Sequence, residues 1–200
     1  LPEYIISSEH INVEGQKMSK SIGNIIMVNE LLTKYDSDSI RYYLTISGPE
    51  NRDTSFSVNE LEAIHNKHLV GGYGNFVNRN LSFLMKKFDG IVPKGNIDSK
   101  LQKIVEDMYN NLGSLIEKGE LKATINLLVT FVQMANKYYD DQKPWVRVKE
   151  DINVFNNTTY NCIYLMANMA NLFEPFMPKS AAKLRNMLGI EKAGWESVMI

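Results

Sequence analysis

Two groups of residues in this chain have types and spacings that could do chemistry. The stretch Gly15-Gln16-Lys17-Met18-Ser19-Lys20-Ser21-Ile22-Gly23-Asn24 sets two lysines three apart, with serines beside them and glycines on either side. Glycine permits tight turns, serine hydroxyls and exposed amides attract anions, and lysine is a compact charge on a flexible stem. Its only large apolar side chain before Ile22 is Met18, so it is no core element. These properties specify a mobile loop that binds phosphate. The second group is Asn75, Arg79, Ser82 and Lys86, which helical spacing sets on one face, together with Trp145 after Pro144 in a charged stretch. An indole in such a stretch costs exposed apolar area unless it packs or stacks on something.

The chain must supply elements that hold these residues. Two hundred residues, 44% of them hydrophobic and 22% charged, suffice for a sizeable core. A formal net charge of -1 excludes binding of nucleic acid by bulk electrostatics, so any such contact is local. The single cysteine, Cys162, excludes an internal disulfide and fits a reducing compartment such as the cytoplasm; it reads as a small apolar helix residue. No apolar run is long enough to span a bilayer. The chain opens on Leu1-Pro2-Glu3 without an initiating Met and reads as a piece of a longer protein.

Residues 3–7 and 11–13 read as two short strands flanking a turn, with His10 facing solvent. Asn29 is placed to cap a helix through Tyr35, and Ser37 or Asp38 one through Ile46 that carries Arg41; Arg41 is expected to pair with Asp53 or the loop. A domain boundary falls near Phe56, giving segments 1–56 and 57–200. Beyond it come four long helices and a short one. Ser57 and Glu60 form a capping box for a helix to Phe88 whose core stripe is Val70, Tyr73, Val77, Leu81, Leu84 and Phe88. Gly71, Gly72 and Gly74 mark a kink or a close backbone approach within it. Ser99 caps a helix ended by Gly119, and Glu120 begins one ended by Pro144. The helix from Asp151 to Phe173 is apolar nearly all round and belongs at the centre; Lys179 to Leu188 form the last. The fold class is mainly α, an antiparallel helix bundle preceded by a short α/β segment.

The run Lys17-Met18-Ser19-Lys20-Ser21 is identical to the signature loop of class I aminoacyl-tRNA synthetases. The segment Tyr35 to Leu44 resembles the one that follows that loop in several of them, and a tRNA-stem contact is the alternative role for its Arg41. The resemblance implies that residues 17 to 21 bind ATP, with Lys20 as the transition-state contact and Lys17 supporting the loop. The class often carries a His upstream of the loop; here Ser8 holds that place, with His10 nearby. Within the class, Asn75-Phe76-Val77-Asn78-Arg79 and Pro144-Trp145 resemble the methionyl-tRNA synthetases, and the likeness covers nearly the whole chain. It implies that Asn75, Arg79 and Trp145 read the CAU anticodon of tRNA(Met). The chemistry agrees: unstacked bases need a ring to stack on, and amides and guanidinium groups hydrogen-bond base edges.

The resemblance further implies a ligase that adenylates methionine with ATP and Mg²⁺ in its full-length form. The His-Ile-Gly-His motif and methionine pocket such an enzyme needs lie outside this sequence, so the chain alone is expected to be inactive. His65 and His68 stand a turn apart, but without Cys, Asp or Glu at helpful spacing they read as structural, and no metal site is expected. The competing readings are another class I synthetase, of cysteine, valine or isoleucine type, a non-catalytic RNA-binding module, or a nucleotidyltransferase that uses a lysine loop without tRNA.

Overall fold

The computed structural model describes residues 5–192 and 194–200. Strand β1 (Ile11–Val13) leads into the lysine loop. Then follow α1 (Val28–Lys34), α2 (Ser37–Ile46), β2 (Thr54–Phe56) and α3 (Val58–Ile64). A π-helical segment (His65–Gly74) joins α3 to α4 (Asn75–Phe88). The bundle is completed by α5 (Ser99–Glu117), α6 (Leu121–Gln142), α7 (Pro144–Glu150), α8 (Ile152–Leu172) and α9 (Pro178–Leu188). The mainly α bundle with a small α/β preface is thus the observed fold class. Among the described residues no helix is long and apolar enough to cross a membrane.

The sheet differs from the sequence expectation. β1 pairs in parallel with β2, Ile11 opposite Thr54 and Val13 opposite Phe56. Residues 5–10 form no strand, and Glu3 and Tyr4 lie outside the described residues. β propensity needs a neighbouring backbone to pair with, and the backbone available to β1 lies about forty residues downstream. Ile40, Tyr43, Phe56 and Leu61 form a small core beneath this sheet.

The caps are also displaced. Met27 precedes α1, and the Asp36 carboxylate, not Ser37 or Asp38, accepts the Asp38 N–H to cap α2. Asp98 caps α5 in place of Ser99. At α3 the capping box is replaced: the Ser57 N–H donates to the Tyr43 hydroxyl, which donates to Glu60. The tyrosine stands between the two partners the box would have joined.

Between residues 58 and 88 the chain is helical throughout, but the glycine cluster sits inside the π segment. There each N–H reaches five residues back, which shifts the helical phase. Val70, placed on the core stripe by a 3.6-residue count, is therefore 54% exposed, while Phe76 and Asn80 are buried. A Cβ on Gly72 would sit 3.4 Å from Val132 Cγ1, an ordinary contact with α6. Helix α8 is buried along most of its length, with Cys162, Tyr164 and Met166 among its enclosed residues. Three of its buried polar side chains face backbone elsewhere: Asn161 holds residues 96 and 98, while Asn168 and Asn171 bind Val198, Gly194 and Glu196 near the C-terminus.

Candidate phosphate loop and base-reading face

The lysine loop leaves β1 through a tight reversal. Glu14 and Gly15 both take positive φ, and Val13 bridges back to Gln16. β2 anchors this turn, since the Gly15 N–H donates to Ser55 Oγ at 2.7 Å and the Glu14 N–H to the Phe56 carbonyl. The far end is closed by Asn24. Its Oδ1 accepts the Ser19 N–H at 2.8 Å and its Nδ2 donates to the Lys17 carbonyl at 3.0 Å. Gly23, at φ +75°, turns the chain and donates to the carbonyls of Ser19 and Lys20. Ser19 and Ser21 share a hydroxyl hydrogen bond of 2.8 Å. Lys17 and Lys20 are exposed, and neither meets a carboxylate among the described residues. A loop with its backbone pinned and its amines in water can gather an anion without first breaking an ion pair.

Nearby, Glu9, His10 and Asp53 bring ligand atoms within 4.8 Å of one another, all exposed. His10 is solvent-facing and lies against Asp53, which accepts its backbone N–H. Asp53 is therefore engaged by His10, and Arg41 reaches elsewhere. Its guanidinium donates to the carbonyls of Pro175 and Phe176 beyond α8, at 2.8 and 3.3 Å. His65 and His68 turn to separate partners: Nδ1 of His65 lies 2.9 Å from Ser39 Oγ, and Nδ1 of His68 3.2 Å from the Tyr42 hydroxyl. Burial first, and then the charge of Lys67, holds the His68 imidazolium below its usual range.

The second group gathers at the C-terminal end of α6. Asn75 and Arg79 face α6 and are half-buried, whereas Ser82 and Lys86, assigned to the same face from spacing, stay exposed. Asn75 Nδ2 donates to Asn136 Oδ1 at 3.4 Å, and Asn136 in turn donates to the Gly72 and Val132 carbonyls. Arg79 pairs with Asp140 while its guanidinium carbon lies 4.4 Å from the Tyr139 ring centroid. Trp145, 44% exposed, stands 5.8 Å from the same ring at a 45° tilt. Tyr139 is thus the hub to which Arg79 and Trp145 both attach. Burial raises its phenol above the ordinary value and outweighs the opposing effect of Arg79.

Trp145 is placed by local rules. Lys143 takes φ 48°, ending α6, and Pro144 occupies the first position of α7. A proline there is pre-set to helical φ and loses no needed N–H. The charged stretch around Pro144 is therefore a one-proline helix start that turns the indole outward. Asn136, Tyr139 and Asp140 were not marked as site residues by spacing; Tyr139 shows in the sequence only as a member of the apolar stripe of α6.

A paired-lysine loop at a strand end, followed by a helical bundle with an aromatic and guanidinium face, is the arrangement of the C-terminal part of a class I aminoacyl-tRNA synthetase. Residues 1–81 match the family model for tRNA synthetases class I (M), and residues 92–199 match the anticodon binding domain of methionyl tRNA ligase. The chain belongs to the methionyl-tRNA ligase family. A Methionine--tRNA ligase 1 of Bacillus cereus is 45% identical over 98% of this chain, and a Bacillus anthracis Methionine--tRNA ligase 44%. Mycobacterium tuberculosis methionyl-tRNA synthetase, solved bound to methionyl-adenylate, superposes with a TM-score of 0.85 at 27% identity, over 94% of this chain and 38% of that one. The chain spans about a third of the length of the curated relatives it matches, 36% in the Bacillus proteins. These matches set aside the cysteine, valine and isoleucine enzymes as alternatives.

Proposed function

We propose that this chain is the working C-terminal part of a methionine–tRNA ligase, divided near Phe56 into a loop-bearing segment and an anticodon-binding bundle. The observation that carries this reading is the gathering of Arg79 and Trp145 about Tyr139, with Asn75 one helical turn before Arg79. Trp145 offers an exposed ring on which an unstacked base can lie, a contact worth about 1–3 kcal/mol per base. Asn75 and Arg79 then supply donors and an acceptor for base edges, and the CAU triplet of tRNA(Met) is the sequence they would read.

In the full-length enzyme the loop would serve the triphosphate of ATP as the methionine carboxylate attacks the α-phosphorus. Negative charge then moves toward the departing pyrophosphate. Lys20, with Lys17 in support, stabilises that charge more in the transition state than in the ground state, which lowers the barrier. The donors of the loop are amines, amides and hydroxyls, from Lys17, Met18, Ser19, Lys20 and Ser21. They suit phosphate oxygens, and Mg²⁺ would arrive with the nucleotide as part of the substrate. The chain alone is expected to give no methionine-dependent pyrophosphate exchange.

The deciding experiment is a titration of an anticodon stem-loop carrying CAU beside stem-loops with one base changed. Preference for CAU by tenfold or more supports the reading. Equal affinity for all of them would leave a bundle that binds RNA without reading it.

A further inference from the structure

The stretch from residue 36 to residue 50 meets the bundle at two helix starts and at the turn between α8 and α9, each time with a charge that suits the groups it meets. The buried Asp38 carboxylate accepts the N–H groups of Lys179 and Ser180, at 3.4 and 2.6 Å, at the start of α9. Arg41 donates to the carbonyls of Pro175 and Phe176 just beyond α8. Glu50 accepts the Lys122 N–H at the start of α6. The first amides of a helix lack partners within it, so carboxylates suit the two starts, and the carbonyls of the turn, outside any helix, take the guanidinium. Asp38 and Arg41 tie α2, and Glu50 the segment after it, to the bundle at three separate places.

Two further contacts give this docking a direction. From the Lys122 amide that Glu50 caps, α6 reaches Asn136, Tyr139 and Asp140 after 14, 17 and 18 residues, about 21–27 Å at the usual helical rise. On its other side the Glu50 segment continues into β2, where Ser55 holds Gly15 at the start of the lysine loop. One helix therefore ends at the base-reading face and begins at the segment that carries the loop.

Resting on the function proposed above, we propose that Asp38, Arg41 and Glu50 are positioning residues for aminoacyl transfer. They hold the loop-bearing segment at one distance and angle from the reading face, so that an RNA gripped at its anticodon brings its acceptor end to the adenylate. None of them belongs to the lysine loop or to the face made by Asn75, Arg79 and Trp145. Small misplacements of reacting groups are costly to rate, and a docking that loosens by an ångström is felt in transfer before it is felt in binding.

The test uses the full-length enzyme with Arg41→Met and Glu50→Gln combined, and Arg41→Lys as the charge-keeping variant. In the double variant, methionine-dependent pyrophosphate exchange and CAU stem-loop affinity stay within about twofold of wild type. The kcat for charging full-length tRNA falls about tenfold to a hundredfold, and the distance distribution between probes at positions 34 and 137 broadens. Arg41→Lys recovers part of the charging rate. Unchanged charging would overturn the proposal, leaving the caps as supports of stability alone. So would charging that falls only in step with stem-loop affinity, or exchange that falls with it. A wild-type enzyme that shows no preference for CAU removes the parent reading, a result distinct from any of these.

Discussion

Arg79 and Tyr139 are stacked, the guanidinium carbon 4.4 Å from the ring centroid, although sixty residues separate them in the chain. The phenol ring also carries Trp145 on its periphery, so one buried residue sets the orientation of the half-buried Arg79 and the exposed Trp145. Trp145→Ala should weaken CAU stem-loop binding by about 1–3 kcal/mol, and Trp145→Phe should retain most of it because a π-face remains. Tyr139→Leu should weaken binding as well, though it touches no base, because it frees the rotamers of Arg79 and Trp145. Stem-loop titrations by fluorescence anisotropy would measure all three; a Tyr139→Leu chain with wild-type affinity and an intact fold would contradict the hub role.

The lysine loop yields a separable prediction. Asn24 ties the Ser19 amide to the Lys17 carbonyl and so holds the backbone from which both amines project. In the full-length enzyme Asn24→Ala removes two hydrogen bonds of about 0.5–1.5 kcal/mol each. It should slow methionine-dependent pyrophosphate exchange roughly three- to tenfold. Lys20→Ala should slow it more, by removal of the charge proposed to act on the departing pyrophosphate. Neither change should alter stem-loop affinity, since Asn24 and Lys20 lie outside the bundle. Loss of affinity in either variant would mean that the two sites do not work apart.

The π segment distinguishes two glycines that look alike in sequence. A Cβ on Gly74 would stand 2.9 Å from the Leu69 carbonyl, a backbone atom that cannot swing away, whereas on Gly72 it would make ordinary contact with Val132. Alanine normally stabilises a helix by about 1 kcal/mol over glycine. Gly72→Ala should therefore be neutral or slightly stabilising. Gly74→Ala should lower the urea midpoint and, by moving Asn75, weaken stem-loop binding. Equal midpoints for the two variants would show that the π geometry yields to a methyl group without cost.

What the sequence made legible follows from how local each signal is. Helices α5, α6 and α8 announce themselves through long apolar stripes, and Gly119 and Pro144 mark ends that depend on backbone torsions alone. The lysine loop is likewise a local pattern of glycines, amines and hydroxyls. Features set by distant partners stayed hidden. β1 had no visible mate because Thr54–Phe56 lies across a loop and two helices. Arg41 carries no mark that it reaches carbonyls 134 and 135 residues away. The phase of the stripe failed at Val70 because a 3.6-residue count cannot register an i→i+5 turn. Tyr139 showed as apolar core, which it is, and its second use as a platform needs Arg79 and Trp145 in three dimensions.

The last prediction concerns acid stability at the join of α8 and α9. Glu174 accepts hydrogen bonds from Arg185 and Lys192, each at 2.7 Å. Partial burial by itself pushes its carboxyl upward, but the hydrogen bond and charge of Lys192 together with those of Arg185 outweigh this and hold it below its ordinary 4.5. A carboxylate whose acidity is strengthened by folding adds stability above its unfolded value and forfeits it as pH falls through the folded one. The contribution should thus be complete at neutral pH and decline below about pH 4.5, where the unfolded chain takes up the proton first. Glu174→Gln removes that proton uptake and leaves the nearly buried Arg185 without its anion. The variant should be less stable than wild type at pH 7, with the gap closing as pH approaches 3. Urea denaturation at a series of pH values would measure it, and a gap that stays constant or widens toward acid would refute the assignment.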